Sequence, residues 1–150
     1  HRDLHSFPTR RSSDLDEALV VTTPEVAAVR DADRIIGMLE ARDLRNPRLI
    51  INRIRTDMVR RGDMMDIDDI IEILAIELLG VIPDDEAVIV ATNRGEPVVL
   101  QSRGRCAEAY RNLVDRFLGK DVPIVALDGH SKLLERLRSW MALGRRPVSG

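Results

Sequence analysis

The 150-residue chain has one cysteine, few aromatic residues and no long hydrophobic run. A single thiol, Cys106, cannot form a disulfide within the chain, which indicates a reducing compartment. Aromatic residues make up 3% of the sequence, so the core must be built from aliphatic side chains. No apolar stretch approaches the ~20 residues that cross a bilayer. The Cys and His residues do not have metal-ligand spacing, so we expect no metal site.

The sequence has no large excess of positive or negative charge. It contains 23 Lys and Arg residues and 25 Asp and Glu residues, and its net charge is −2. This balance excludes a global positive field that would attract nucleic acid, so any basic function must be local. The segment 132–146 is the one candidate, with five cations against one acid and the only tryptophan, Trp140. The length and the 44% hydrophobic content predict one domain with one core.

The first fifteen residues, HRDLHSFPTRRSSDL, have no apolar period and no signal-peptide pattern. HSFPTRRSSDL resembles the in-frame translation of a sequencing adaptor, and a natural disordered leader is the alternative. We therefore predict a non-native or disordered leader over 1–15. A folded domain is expected over 16–119, a linker over 120–130 and an amphipathic helix over 131–146.

Short β-branched segments alternate with amphipathic segments after residue 16. Strands are predicted at Ala18–Thr22, where both faces should be covered, at Arg48–Asn52, and in LLGVIPDD, ending at Pro83. This alternation is typical of parallel β-α-β units with helices on both faces of the sheet. The predicted fold class is therefore α/β.

Helix boundaries follow from capping residues. Thr23 is predicted to cap a first helix with Pro24 at its first position, and Asp66 is predicted to cap a second. EAVIVATNRGEPVVL predicts a short helix or turn followed by an extended piece. A last helix should end at Gly119, with one apolar side made of Ala107, Tyr110, Leu113, Val114 and Phe117.

Ligands of open parallel sheets bind at the carboxyl ends of the strands. The segments TTPE, INRIR and GVIPDD should therefore lie along one rim. Neither G-x-x-x-x-G-K-[ST] nor G-x-G-x-x-G occurs in the sequence, so the usual phosphate-binding loop is missing.

Three segments carry a family resemblance: VVTTPEVAAVRDADRIIG, INRIRTDMVRRGDMMDIDDIIEIL and LGVIPDDEAVIVATNRGEPVVL. In this order they resemble the C-terminal half of the MinD family, septum-site-determining ATPases of the deviant Walker A class related to ParA. The resemblance implies half of a P-loop NTPase-type parallel sheet plus a C-terminal amphipathic helix. The full-length protein should hydrolyse ATP with Mg²⁺.

The P-loop, its lysines and the Walker B aspartate of that family are absent from the chain. Phosphoryl transfer depends on those groups, so the polypeptide alone is predicted to be inactive, with no catalytic residue and no tightly bound cofactor. The resemblance implies that Asn52 hydrogen-bonds adenine and that Pro83, Asp84 and Asp85 line the adenine and ribose. The alternatives are that Asn52 is a turn former and that PDD caps the next helix.

The resemblance also assigns charged residues of the first helix to the ATP-dependent homodimer face and to the groove for MinC-like and MinE-like regulators: Glu25, Arg30, Asp31 and Asp33. A solvated helix face with a local Arg30–Asp33 ion pair is the alternative. The loop after the second predicted strand contains four arginines, Arg53, Arg55, Arg60 and Arg61. Some relatives bind DNA, but Asp57 and Asp63 interrupt this basic loop, so DNA is not an expected partner.

The C-terminal segment KLLERLRSWMAL is amphipathic at helical spacing. Leucines and tryptophan on one side and cations elsewhere suit an anionic membrane interface, and the segment resembles the membrane-targeting sequence of the family. The predicted membrane residues are Lys132, Leu133, Leu134, Arg136, Leu137, Arg138, Trp140 and Met141. A helix packed on the core and a helix in a partner's groove are the alternatives.

These observations predict a fragment of a MinD-type ATPase that positions the division septum. It would act by ATP-dependent dimerisation, reversible membrane attachment and recruitment of a septum inhibitor, in the cytoplasm and peripherally on the inner face of the cell membrane. The alternatives are a noncatalytic membrane-binding adaptor module and a ParA-like ATPase that partitions cargo or DNA.

Overall fold

The computed structural model describes residues 16–44, 46–100 and 103–124. Three parallel strands form one sheet in the order β1 (Leu19–Thr22), β2 (Arg48–Ile54) and β3 (Glu77–Pro83). The helices are α1 (Val26–Glu40), α2 (Thr56–Arg61), α3 (Ile67–Leu74), α4 (Glu86–Arg94) and α5 (Arg105–Phe117), and a 3-10 turn spans Val98–Leu100. The predicted parallel α/β class is confirmed. The predictions for residues 1–15, 125–130 and 131–146 lie outside the described residues.

Helices cover the two faces of the sheet with separate apolar clusters. The larger cluster joins α1 and α3 to one face through buried aliphatic residues that include Val29, Ile36, Leu49 and Ile70. The other face carries Ile50, Leu79 and Ile82 beneath the α5 residues Cys106, Ala109 and Leu113. Helices on both faces of the sheet were predicted, and the structure confirms them.

Strand β1 departs from its prediction, because it is covered on one face only. Val20 and Thr22 are buried, whereas Leu19 is 42% exposed and Val21 is 58% exposed. Side chains alternate between the faces of a strand, and Val20 belongs to the α1 and α3 cluster. The bare side of β1 is therefore the α5 face, since α5 packs over β3 and leaves β1 uncovered.

The predicted start of the first helix is also wrong. Helix α1 begins at Val26 with Glu25 in the N-cap position, and Pro24 is buried before it. The Thr23 hydroxyl donates to the Glu25 carboxylate and does not cap the helix main chain. The Asp66 cap is confirmed, because its carboxylate accepts a hydrogen bond from the Asp68 main-chain N–H.

Three further details differ from the predictions. The segment after α4 forms the 3-10 turn and not an extended piece. Helix α2 occupies part of the predicted polar loop and ends at Gly62, whose φ of 77° suits glycine. On α5, Ala107 and Leu113 are buried as predicted, whereas Val114 and Phe117 are exposed.

Candidate functional site

The carboxyl ends of β2 and β3 bring the predicted base-binding residues together. Asn52 lies near the end of β2, Pro83 is the last residue of β3, and Asp84 and Asp85 follow directly. The Asp84 main-chain N–H donates to the Ile54 carbonyl at 2.9 Å, which joins the two strand ends. We call Asn52, Pro83, Asp84 and Asp85 the carboxyl rim.

Arg53 adds a side chain to the carboxyl rim that the prediction did not include. Its Nε lies 3.6 Å from Asp84 Oδ1, so an exposed ion pair bridges the ends of β2 and β3. The Arg53 backbone adopts φ 59°, a left-handed conformation that costs a non-glycine residue on the order of 1–2 kcal/mol. This kink coincides with the register irregularity between Ile51 and Ile54. The sequence does not predict this left-handed conformation, because Arg53 is not a glycine or asparagine and lies in a segment with strand-like composition.

The local geometry determines what the Asn52 amide can offer a ligand. Its Oδ1 accepts a hydrogen bond from the Arg53 main-chain N–H at 3.0 Å. This leaves the two N–H donors of the amide for other partners. Asn52 is only partly buried. The same edge of the sheet therefore carries amide donors and the Asp84 carboxylate, groups that can hydrogen-bond the acceptor nitrogens of a base and the hydroxyls of a ribose.

Asp85 has the structural role that the alternative prediction gave it. Its carboxylate accepts the Ala87 main-chain N–H at 2.9 Å and caps α4. The cap engages one of its carboxylate oxygens. Asp84, which is more exposed, is the carboxylate with freer access to a ligand.

A buried thiol lies under the rim. Cys106 is fully buried on α5, and this burial raises its pKa to about 11, with a smaller contribution from the charges of Asp85 and Asp84. Burial likewise raises the pKa of the Tyr110 phenol. Both groups are therefore neutral at physiological pH. We assign Cys106 a packing role.

The charged residues predicted for the dimer and partner face do not form one cluster. Glu25 accepts from Thr23 at the start of α1, and Arg30, Asp31 and Asp33 are all exposed. Asp31 lines a groove along the open edge of β1 with Ala28, Ile35 and Leu39. At 100° per residue, Arg30 and Asp33 fall on the opposite flank of α1. The ion pair that forms is Asp31–Arg34 at 3.5 Å, and not Arg30–Asp33.

The arginines of the predicted basic loop are paired largely with nearby acids. Asp57 contacts Arg55 at 3.2 Å and Arg61 at 3.4 Å, and Arg61 also contacts Asp63 at 2.8 Å. The hydrogen bond from Arg55 is the main cause that lowers the pKa of Asp57. These pairs neutralise much of the local positive charge.

Among the described residues, none of the helices is long and apolar enough to span a bilayer. The same part of the chain contains no group of three His, Cys, Asp or Glu residues placed to hold a metal ion. The predicted membrane segment, Lys132 to Met141, lies outside the described residues.

Similarity to known proteins agrees with this geometry. No family model matches the chain. The septum site-determining protein MinD of Bacillus subtilis is 47% identical over 133 residues, which cover 87% of this chain and 50% of the relative. The MinD of Synechocystis is 44% identical over 124 residues, covering 81% of this chain and 47% of the relative. The chain spans about half the length of the curated relatives that it matches.

Solved structures give the same result. A chain of the MinC:MinD cell division protein complex from Aquifex aeolicus is 43% identical with a TM-score of 0.73, and the match covers 76% of this chain and 47% of that chain. MinD from Pyrococcus horikoshii, complexed with Mg-ADP, is 26% identical with a TM-score of 0.60, with coverage of 71% and 45%. The chain therefore belongs to the MinD family of septum site-determining proteins and represents its C-terminal part.

Proposed function

We propose that this chain supplies the base-binding half of a MinD-type ATPase that positions the division septum. The observation that supports this proposal most is the carboxyl rim, where Asn52 near the end of β2 and Asp84 and Asp85 after β3 lie at the same edge of the sheet, in a chain similar to MinD. Open parallel sheets bind ligands at this end. The rim has polar groups for a base and a ribose, and the sequence has no phosphate-binding loop.

The residues fit one side of an ATP and Mg²⁺ site. Asn52 would donate to the adenine edge, Pro83 would lie against the base, and Asp84 would accept from ribose hydroxyls. Arg53 would hold Asp84 in place through its ion pair. ATP supplies the phosphoryl group for hydrolysis, and the groups that act on that phosphoryl belong to the half of the family that this chain does not match. The chain alone is therefore expected to bind weakly and to have no ATPase activity.

Partner binding is proposed on the same basis. A solved MinC:MinD complex contains a chain similar to this one, which supports a MinC-like septum inhibitor as a partner. We further propose ATP-dependent homodimerisation and a MinE-like regulator, which use exposed residues of α1. Because Asp31 lies on a different flank from Arg30 and Asp33, the two flanks would contact different partners or different parts of one partner.

Membrane attachment completes the proposal. The amphipathic segment 131–146 would bind reversibly to an anionic lipid surface, placing the protein in the cytoplasm and peripherally on the inner face of the cell membrane. Each cation near such a surface contributes about 1 kcal/mol, and folding of the segment offsets part of the gain. One copy should bind marginally, and two copies in a dimer should bind much more tightly.

DNA partition is the less favoured alternative. A DNA-binding loop needs cations that are available to phosphates. Arg53, Arg55 and Arg61 each contact a carboxylate. These ion pairs support the septum-site proposal over a ParA-like DNA role.

Ligand titration of the ¹⁵N-labelled chain tests the nucleotide proposal. We expect adenosine and ATP at millimolar concentration to shift the same rim amides, those of Arg53, Asp84 and Asp85, to similar extents. Inorganic tripolyphosphate should leave these amides unchanged, because the rim has no phosphate-binding loop. Rim shifts with tripolyphosphate, or none with adenosine, would contradict the assignment.

Vesicle sedimentation tests the membrane proposal. The wild-type chain should sediment with vesicles that contain anionic phospholipid and less with neutral vesicles. Trp140→Glu should reduce anionic-vesicle binding several-fold, because it places a charge on the apolar side of the segment. Equal sedimentation with anionic and neutral vesicles, unchanged by Trp140→Glu, would favour the packed-helix alternative.

A further inference from the structure

Strand β2 contains one extra residue near its carboxyl end. Ile51 pairs with Val81 and Ile54 pairs with Pro83, so three residue steps in β2 match two steps in β3. An extra residue of this kind is a β-bulge, which interrupts the strand pairing and changes the direction of nearby side chains. We call residues 52–53 the β2 bulge.

The burial of β2 side chains agrees with the extra residue. Leu49 and Ile51 are two positions apart and belong to the apolar cluster on the α1 and α3 face, as strand alternation requires. Ile54 belongs to the same cluster, although it lies three positions beyond Ile51. In a regular strand, Ile54 would point to the opposite face. The β2 bulge therefore keeps Ile54 in the core and leaves Asn52 partly buried and Arg53 exposed.

Arg53 contacts two side chains of the carboxyl rim. Its main-chain N–H donates to Asn52 Oδ1 at 3.0 Å, and its guanidinium Nε lies 3.6 Å from Asp84 Oδ1. The extra residue of a bulge is left out of the strand ladder. Here, with the left-handed φ of 59° at Arg53, the main-chain N–H of that residue bonds to the Asn52 amide.

The main-chain hydrogen bond should matter more for the rim than the ion pair. The Arg53 and Asp84 side chains are 67% and 38% exposed, and exposed ion pairs are screened by water and salt. The bond to Oδ1 instead decides how the amide is turned, because an amide accepts only through its oxygen and donates only through its nitrogen. A flipped Asn52 amide would direct its own N–H groups at the Arg53 N–H.

We infer that Arg53 is a positioning residue, which as the extra residue of β2 fixes the Asn52 amide with its N–H donors available to a base. The inference rests on the proposed function, in which Asn52 hydrogen-bonds adenine. Adenine offers an acceptor nitrogen beside an amino group, and the amide matches this pair with one N–H and the second lone pair of Oδ1. Guanine offers two acceptors on the same edge. A fixed amide therefore favours adenine, whereas a freely rotating amide can turn its oxygen away and tolerate guanine.

Deletion of Arg53 tests the role of the β2 bulge. The deletion leaves Ile51 and Ile54 two positions apart, so both can remain in the α1 and α3 cluster. We expect this variant to unfold cooperatively in denaturant, as the wild type does. Adenosine titration monitored by ¹⁵N amide shifts should show an affinity reduced by about five-fold or more, the effect of one hydrogen bond. The ratio of adenosine to guanosine affinity should also fall.

Two further variants separate the bulge from the guanidinium. Arg53→Gly keeps the extra residue and its N–H, and glycine adopts a positive φ without strain. It should change adenosine affinity by about two-fold at most, since only an exposed ion pair is lost, and should keep the base ratio. Arg55→Ala removes the guanidinium of another exposed ion pair, with Asp57, outside the β2 bulge. This control should leave both values unchanged.

The possible results have distinct meanings. Wild-type affinity and base ratio after deletion of Arg53 would overturn the positioning role alone. An Arg53→Gly variant that binds as weakly as the deletion would assign the effect to the guanidinium and would also overturn the inference. A deletion variant that does not fold would contradict the separation of the β2 bulge from the core. Failure of the wild-type chain to bind adenosine would overturn the proposed function and, with it, this inference.

Discussion

The two edge strands of the sheet are covered very differently. Strand β3 has five consecutive buried residues, with α5 on one face and the α1 and α3 cluster on the other. Strand β1 alternates buried and exposed residues, and α1 packs on the face that carries its buried residues. Both are apolar parallel strands of one sheet. The difference shows that the layered architecture is complete around β3 and open around β1.

The open side agrees with the extent of the similarity, because the chain spans about half the length of the MinD relatives that it matches. Apolar residues that face solvent in one half of a fold are expected where further layers pack in the whole. In the described residues, the β1 face that carries Leu19 and Val21 is an exposed apolar surface.

Leucine truncation provides the largest contrast between the two strands. Leu79→Ala in β3 should lower the free energy of unfolding by about 2–5 kcal/mol, because Leu79 is 2% exposed and its removal leaves a cavity. Leu19→Ala in β1 should cost less than about 1 kcal/mol, since its side chain is already partly in water. Denaturant unfolding of both variants measures the difference. Equal losses would refute the comparison.

Overpacking tests the fit between α5 and β3. Gly80→Ala should destabilise by about 1–3 kcal/mol, because the new methyl group would collide with Leu113. Thermal unfolding provides the measurement, and Gly37→Ala in α1 is the control, since no atom lies within 4 Å of its added Cβ. A Gly80→Ala variant as stable as this control would show that the helix can move away from the sheet at little cost.

The buried Cys106 thiol, which packs against β3, should make the free energy of unfolding depend on pH. The pKa of Cys106 is about 11 in the folded chain, above the ordinary value of about 8.5. A raised pKa favours the protonated folded state, so its contribution is complete below pH ~8.5 and is lost as pH rises through 11. The free energy of unfolding should fall by about 3 kcal/mol over this range. Cys106→Ala should flatten the fall, and an unchanged slope would argue against a buried thiol.

The exposed apolar face of β1 should affect self-association of the chain more than its free energy of unfolding. Val21→Lys should change the free energy of unfolding by less than about 0.5 kcal/mol, because Val21 is mostly exposed. The new charge should reduce self-association through the bare apolar face. Sedimentation velocity of both proteins at several concentrations checks this, with Val26→Lys on exposed α1 as the control. If Val21→Lys self-associates as strongly as the wild type, the surface that mediates self-association is not the exposed face of β1.

Local sequence patterns predicted the strands and the Asp66 cap well, because apolar runs and capping residues act over a few residues. The coverage of β1 could not be predicted that way. Leu19 and Val21 are apolar, which predicts burial, but the sequence of a strand does not show whether another element covers each of its faces. The start of α1 was missed because the Thr23 hydroxyl prefers the nearby Glu25 carboxylate to the helix main chain.

The carboxyl rim was predicted through family resemblance more than through local pattern. Asn52 and Asp84 are 32 positions apart, and parallel strand pairing alone brings their strand ends together. Arg53 was considered only as part of the basic loop, and its ion pair with Asp84 was not predicted, because that contact joins the ends of two strands. Such contacts leave no periodic signal in a single sequence.

The central claim is that the carboxyl rim binds the base of a nucleotide through Asn52. Adenosine titration of Asn52→Ala, monitored by ¹⁵N amide shifts, tests it, with Asn46→Ala as a matched control at an exposed asparagine away from the rim. We predict saturable rim shifts in the wild type and in Asn46→Ala and a loss of at least ten-fold in affinity in Asn52→Ala. Equal adenosine affinity in all three proteins would contradict the claim.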